Sequence, residues 1–293
     1  MTPVVVAVTG HTGFIGRAVL RALRAQDADV RPLGREVADL GAPDTLGERA
    51  GPVLAGVDTL YHLAAYIPRD HRDPGEAEAC LRVNALGSLA LARAAVAAGV
   101  RRFVLVSSGN VYRGESRAVV ESDALYPSAR APYYLGSKVA AEVYLDHFRQ
   151  TAQIAVAIAR VSSVYGPGMA AMGMVPAFLA RLQRGEPLRV LAGGTYRSDL
   201  VHVDDVAAGL VALGRSAHGG PMNLGSGHAP STLEVARTLC ALSGVDETRI
   251  VIEPLSGAAE PGFSALDIGL ARREIGYEPR SLREGLATMV ADR

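Results

Sequence analysis

The sequence predicts an α/β protein: a doubly wound parallel sheet, with a smaller α/β region toward the C-terminus. Three observations lead there. Short β-branched runs alternate with amphipathic helical stretches at the pitch of βαβ units. The first run ends in three evenly spaced glycines, Gly10, Gly13 and Gly16, and a helical pattern follows them. Beyond Gly166 the texture changes to denser Pro and Gly and longer loops.

Residues 4–8 suit a buried parallel strand. IGRAVLRALRAQ then puts Ile15, Val19, Leu20 and Leu23 on one helical face. DVRPLGR reads as the second strand and DTLYHLAA (58–65) as the third. ALGSLALARAAVAAG (85–99) reads as a helix of small and apolar residues closed by Gly99. RRFVLVSS (101–108) is the next strand, SKVAAEVYLDHFRQ (137–150) an amphipathic helix, and IAVAIARVSSVYG (154–166) a strand and turn. Further on, VPAFLARLQRGEPL is helical and SDLVHVDDVAAGLVAL is a strand turning into a helix. Ser231 precedes Glu234 by three positions, the spacing of a capping box. We expect one region over 1–165 and a second over 166–293, interleaved with the first, parts of 198–228 returning to it.

At 293 residues the chain can bury one large core or two modest ones. Its 49% apolar and 20% charged content is that of an ordinary globular protein. Net charge is zero with no basic or acidic block, which argues against a general nucleic-acid or membrane-surface role. No apolar run approaches the roughly 20 residues of a membrane span. Cys80 and Cys240 show no metal spacing and read as free thiols. With no signal-like N-terminus, a cytoplasmic location is the expectation. The seven histidines show no metal-binding pattern; His62 and His202 lie in strand motifs and read as structural, and no metal is expected.

A strand, a glycine turn and a helix together aim a helix N-terminus at a phosphate. Glycine serves where the turn needs positive φ or where backbone must approach an anion closely. In the first strand of the chain this is the dinucleotide-binding, Rossmann-type context. The second strand should carry the residue that reads the adenosine ribose: an acid for the diol, a cation for a 2′-phosphate. Gly34 stands where the acid would be and Arg35 follows; no carboxylate ends the strand unless Glu36 folds back. NADP is therefore favoured over NAD, the alternative being that Arg35 is a solvated surface residue.

Tyr134 and Lys138, four apart on a helix, share a face. An ammonium beside a phenol favours the phenolate, so the tyrosine can exchange a proton with a substrate oxygen while a hydride moves. Ser108, just past a strand, can hydrogen-bond the same oxygen.

With VTGHTGFIG, ADL, YHLAA, SSGNVY, YYLGSK, RVSSVYGPG, LVHVDDVA, MNLGSG and IGYEP in order, the chain resembles the extended short-chain dehydrogenases/reductases, the group of nucleotide-sugar epimerases, dehydratases and 4-ketoreductases. The resemblance implies that Gly10, Gly13 and Gly16 wrap a pyrophosphate, with Thr12, Phe14 and Ile15 between them. It places Asp39 and Leu40 at adenine, and Leu63, Ala64, Ala65, Ser107 and Val161 along the cofactor path. Asn84 shapes the helix behind the site and is counted with the cofactor set. Ser108 takes the place of the catalytic serine, Tyr134 of the acid/base, and Lys138 of the lysine that holds the nicotinamide ribose. The helices around Asn84 and Lys138 imply a homodimer.

The departures from the family concern substrate. Dehydratases carry Asp-Glu after the catalytic threonine, where this chain has Gly109 and Asn110, so sugar dehydration is not expected. Ser198 stands for an arginine that grips a diphosphate, with Arg197 one place early; Glu260 stands at the second such arginine and Ser163 at a family asparagine. The substrate-binding candidates are Ser108, Asn110, Ser163 and Arg197. Either the substrate is not nucleotide-linked, or Arg197, Arg181 or Arg280 does the missing work. The reading favoured is an NADP(H)-dependent reductase of a sugar or sugar-like carbonyl. The alternatives are an NAD-retaining epimerase and a non-catalytic dinucleotide sensor.

Overall fold

The computed structural model of the protein describes residues 3–71, 73–115, 117–126, 131–151, 154–254 and 262–291. The central sheet has six strands: β1 (Val5–Thr9), β2 (Asp29–Leu33), β3 (Thr59–His62), β4 (Arg102–Ser108), β5 (Ala155–Val161) and, after a long excursion, β9 (Gly220–Leu224). They lie in the order β2-β1-β3-β4-β5-β9, all parallel. The chain winds outward from β1 in both directions, so a crevice opens between the C-terminal ends of β1 and β3.

Period-two alternation sends side chains to two covered faces. Val6 and Val8, Val104 and Val106, and Ala157 and Ala159 join one core with α1 (Phe14–Arg24) and α7 (Val203–Arg215). Ala7, Phe103, Leu105, Val156 and Ile158 join the other, beneath α2 (Pro43–Leu54), α4 (Gly87–Ala97) and α5 (Pro132–Gln150). Pro132 in the first turn of α5 suits a position whose N–H has no helical acceptor. The helix therefore begins before Tyr134, earlier than the amphipathic pattern from 137 indicates.

Residues 77–97 run as one helical body: α3 (Ala77–Cys80), a π-helical turn (Leu81–Leu86) and α4. Pro74–Ala97 is long and apolar enough by composition to cross a membrane, a stretch missed by counting uninterrupted apolar residues; half of its most apolar window is buried in the protein.

A third cluster is built from α6 (Met174–Gln183), β7 (Leu188–Val190), β8 (Leu200–His202), α8 (Thr232–Ser243) and α10 (Leu282–Ala291). Two parallel pairs belong to this region: β8 with β6 (Ser163–Tyr165), and β7 with β10 (Ile250–Ile252). The capping box at Ser231 and Glu234 is present in full. Between these elements, α7 packs on α1 and β9 extends the main sheet, while α9 (Gly269–Ile275) lies against β9.

Candidate active site

A cleft of about 930 Å³ opens at the crevice. One wall is the glycine turn. Gly10 has φ +66°, and a Cβ there would stand 2.6 Å from the Ala64 nitrogen. A Cβ on Gly16 would meet the Gly10 carbonyl oxygen at 2.1 Å, so α1 approaches the turn as closely as it does only with glycine at that place. Gly13 caps α1 with no side-chain acceptor, leaving the first helical N–H groups to the cleft. His11 also lines it, with a buried Nδ1 that has no hydrogen-bond partner. A cradle of this kind fits a dinucleotide pyrophosphate.

Beneath the turn lies a neutral hydrogen-bond chain. Ser88 Oγ donates to the Asn84 carbonyl at 2.6 Å, so His62 Nε2 donates to Ser88 at 2.8 Å and Nδ1 accepts from Thr9 Oγ1 at 2.7 Å. Thr9 Oγ1 in turn accepts from the Leu63 and Ala64 N–H groups. Burial, with the Lys138 charge nearby, pushes the His62 pKa down to about 3.

The chemical residues meet at the far end. Ser108 closes β4, and its Oγ accepts from the Asn110 N–H at 3.2 Å. Tyr134 and Lys138 both line the cleft from α5, and Nζ stands 5.8 Å from the tyrosine ring centre. Lys138 Nζ donates to the Val106 carbonyl at 3.0 Å. Burial lowers its pKa to about 8, against an opposing pull from Glu142. Burial raises Tyr134 to about 12, with Cys80 adding to it. Lys138 is also the only lysine in the chain; every other basic side chain in the Lys+Arg total of 30 is an arginine. An ammonium shifts its pKa readily on burial and a guanidinium does not, which gives this position a chemical reason to differ.

Of the residues expected at the cofactor, the cleft is lined by Gly10, Thr12, Gly13, Phe14, Ile15, Gly16, Arg35, Asp39, Leu40, Leu63, Ala64, Ala65, Ser107, Tyr134, Lys138 and Val161. Asn84 is a correction. It is buried behind the wall, where Oδ1 accepts from Tyr66 N at 2.7 Å and Nδ2 donates to Tyr66 O and Ser137 Oγ. It fixes the loop after β3 against α5 and is not among the residues that line this cleft. Tyr66, Ile67, His11, Arg82 and Ser162 line the cleft without having been expected there. The contiguity of Tyr66 and Ile67 with YHLAA was the available signal.

The substrate candidates divide. Ser108 lines the cleft; Asn110, Ser163 and Arg197 do not. Ser163 Oγ accepts from Ser198 Oγ at 2.8 Å. Arg197 donates to the Ala229 carbonyl and faces Glu234 at 3.5 Å. Arg181 pairs with Glu186, and Arg280 holds Asp205 at 3.0 Å. All three arginines considered for a diphosphate are thus paired with carboxylates. Glu260 lies outside the described residues.

A fold, a glycine cradle and a Ser–Tyr–Lys set point one way, and comparison with known families decides it. Residues 6–225 match the profile of the NAD dependent epimerase/dehydratase family. The chain belongs to this family. Within the epimerase/dehydratase family it is 30% identical to a UDP-glucose 4-epimerase of Mycolicibacterium smegmatis, over 97% of this chain and 96% of that one. It is 29% identical to a dTDP-glucose 4,6-dehydratase of Streptomyces griseus, over 97% and 92%. It also matches UDP-glucuronic acid decarboxylase 1 of Arabidopsis thaliana at 30% over 82% of this chain, but spans only 56% of that protein's length. Among solved structures, the UDP-glucose 4-epimerase of Thermotoga maritima with UDP-glucose aligns with a TM-score of 0.83 at 25% identity, covering 98% of this chain and 97% of that one. A dTDP-glucose 4,6-dehydratase of Streptomyces venezuelae with NAD bound aligns at 0.80 and 26%, covering 98% and 96%. These relatives make the chain an enzyme of the NAD-dependent epimerase/dehydratase type. They lend no support to a preference for NADP or for net reduction.

Proposed function

We propose that the protein oxidises and re-reduces a secondary carbinol of a sugar or sugar-like substrate on one dinucleotide retained in the cleft, the epimerase form of this chemistry. The observation that carries the proposal is the cleft's chemical end: Ser108, Tyr134 and Lys138 converge there, and Asp39, at the opposite end beside Gly34 and Leu40, is the only carboxylate lining the cleft among the described residues. Dehydration needs a second proton-transfer pair at the reacting carbon. Here Gly109 is packed under Leu266, and the Asn110 backbone N–H donates to Ser108 Oγ, which caps the turn.

The dinucleotide, when bound, supplies a hydride acceptor and donor. Tyr134 as phenolate takes the carbinol proton and as phenol returns it, Ser108 holds the same oxygen, and Lys138 stabilises the phenolate before the first transfer and after the second. NAD is favoured because a solved relative holds it, and the Glu36 carboxylate folds back onto Gly34 at the edge of the cleft, beside its lining. A reductase using NADP is the second reading, on the strength of Arg35 lining the cleft there. For the partner we propose a second copy of the chain, seated on exposed Leu81, Leu86, Val143 and Tyr144 of the helix pair flanking the site. Light scattering tests this.

The deciding experiment denatures freshly purified protein and identifies the released dinucleotide by mass. NAD released near one per chain supports the epimerase; an empty protein that binds NADPH over NADH supports the reductase. UDP- and dTDP-hexoses are then screened beside free keto-sugars, because the relatives are named for nucleotide sugars while Arg181, Arg197 and Arg280 are all paired here.

A further inference from the structure

Tyr134, Lys138 and Glu142 are spaced by four along α5 and meet the C-terminal end of β4 from one face. Lys138 reaches the Val106 carbonyl, and Glu142 accepts from the hydroxyl of the next residue, Ser107. Ser107 directly precedes Ser108. From β5, Arg160 grips the same carboxylate twice, through Nε at 3.1 Å and Nη2 at 2.8 Å. Arg160 Nη1 continues to the Tyr112 hydroxyl at 2.8 Å, and that hydroxyl donates to Asn223 Oδ1 on β9 at 2.7 Å. Glu142 and Arg160 have side-chain exposures of 4% and 6%. A carboxylate so buried and so fully bonded cannot rearrange without breaking several contacts together.

We propose that Glu142, braced by Arg160, is a positioning residue that sets where the Lys138 ammonium stands against the Ser108 end of β4. The proposal rests on the reading of Lys138 as part of the active site. It goes beyond that reading by assigning the helix-to-strand spacing, on which Ser108 and Tyr134 depend to share one substrate oxygen, to a pair that touches no ligand.

The charged and titratable groups facing Lys138 are few. His62 approaches from β3, Tyr134 and Glu142 lie on its own helix, and Arg160 stands behind Glu142. His62 is neutral above about pH 3. Removing the Glu142 charge therefore takes away the anion that favours the ammonium and exposes Lys138 to Arg160, two effects of one sign.

Because Lys138 is the only lysine, protein grown with lysine labelled at Cε and Nζ gives one side-chain NMR signal, and its titration needs no turnover. We expect a midpoint near 8 in the parent and about one pH unit lower in Glu142→Gln. The double variant Glu142→Gln/Arg160→Met leaves no unpaired charge at positions 142 and 160 and keeps side-chain volume, so it provides a folded comparison if the single variant unfolds. Its midpoint should fall below the parent and above Glu142→Gln. Thermal melting is followed alongside. Midpoints unchanged in the folded variants would overturn the proposal and leave the pair a structural brace. Absence of any turnover would sink the proposed reaction while leaving this result standing.

Discussion

The Glu36 carboxylate fills the space that a side chain on Gly34 would take: a Cβ at Gly34 would lie 2.2 Å from Glu36 Oε1. An acid thus reaches the end of β2 from two residues further on, beside Arg35. Glu36→Ala should weaken NADH binding about tenfold and leave NADPH nearly unchanged, since a lost charge-assisted hydrogen bond costs roughly 1.5 kcal/mol. Arg35→Ala should do the reverse. Fluorescence titrations with both nucleotides check this, and equal losses for both in either variant would refute it.

Lys138 should set opposite pH trends in activity and stability. Its folded pKa of about 8 lies below the ordinary lysine value of 10.5, so between these values the unfolded chain binds more protons. Stability contributed by this group therefore rises from pH 8 to 10.5, by an amount on the order of a few kcal/mol. Activity that needs the ammonium falls over the same range. Urea unfolding of the parent and of Lys138→Met should diverge across this window; parallel curves would remove Lys138 as the cause.

His62 predicts acid sensitivity. Its pKa of about 3 in the fold, against 6.5 unfolded, means that stability is complete above pH 6.5 and is lost as pH falls toward 3. His62→Gln removes the titration, so its stability should decline less steeply with acid than the parent's. The readout is the slope of unfolding free energy between pH 6 and pH 4, within the range where both proteins fold.

Asn84→Ala should cost about 2–4 kcal/mol, because Tyr66 N, Tyr66 O and Ser137 Oγ all lose a partner behind the cleft wall. It should also lower dinucleotide retention although Asn84 lines no part of the cleft. Retention equal to the parent's, at a temperature where the variant is folded, would show that the loop after β3 holds its place unaided.

The glycine turn, the alternation of strands and helices that follows it and the Tyr134–Lys138 pair are readable in the sequence because each depends on local spacing. Gly10 and Gly16 are needed by backbone contacts within one turn, and Tyr134 and Lys138 share a face by helical period alone. Glu36 was harder to place, because its return to Gly34 is a choice of rotamer that no periodicity records. Arg197, Arg181 and Arg280 resemble free cations in a linear sequence. Their partners Glu234, Glu186 and Asp205 become visible only when the C-terminal segments pack. Asn84 shows a third limit: spacing brings it to the site, but only its three hydrogen bonds reveal that it faces away from the cleft.

A single buried lysine also makes the chain a reporter of its own opening. A lysine-specific endoprotease has one peptide bond to cut, that between Lys138 and Val139, in the middle of α5. The bond is inaccessible until α5 leaves the sheet, so the rate of that single nick measures how often the cleft comes apart. A bound dinucleotide or substrate should slow it in proportion to occupancy, which gives a binding assay that requires no knowledge of the reaction.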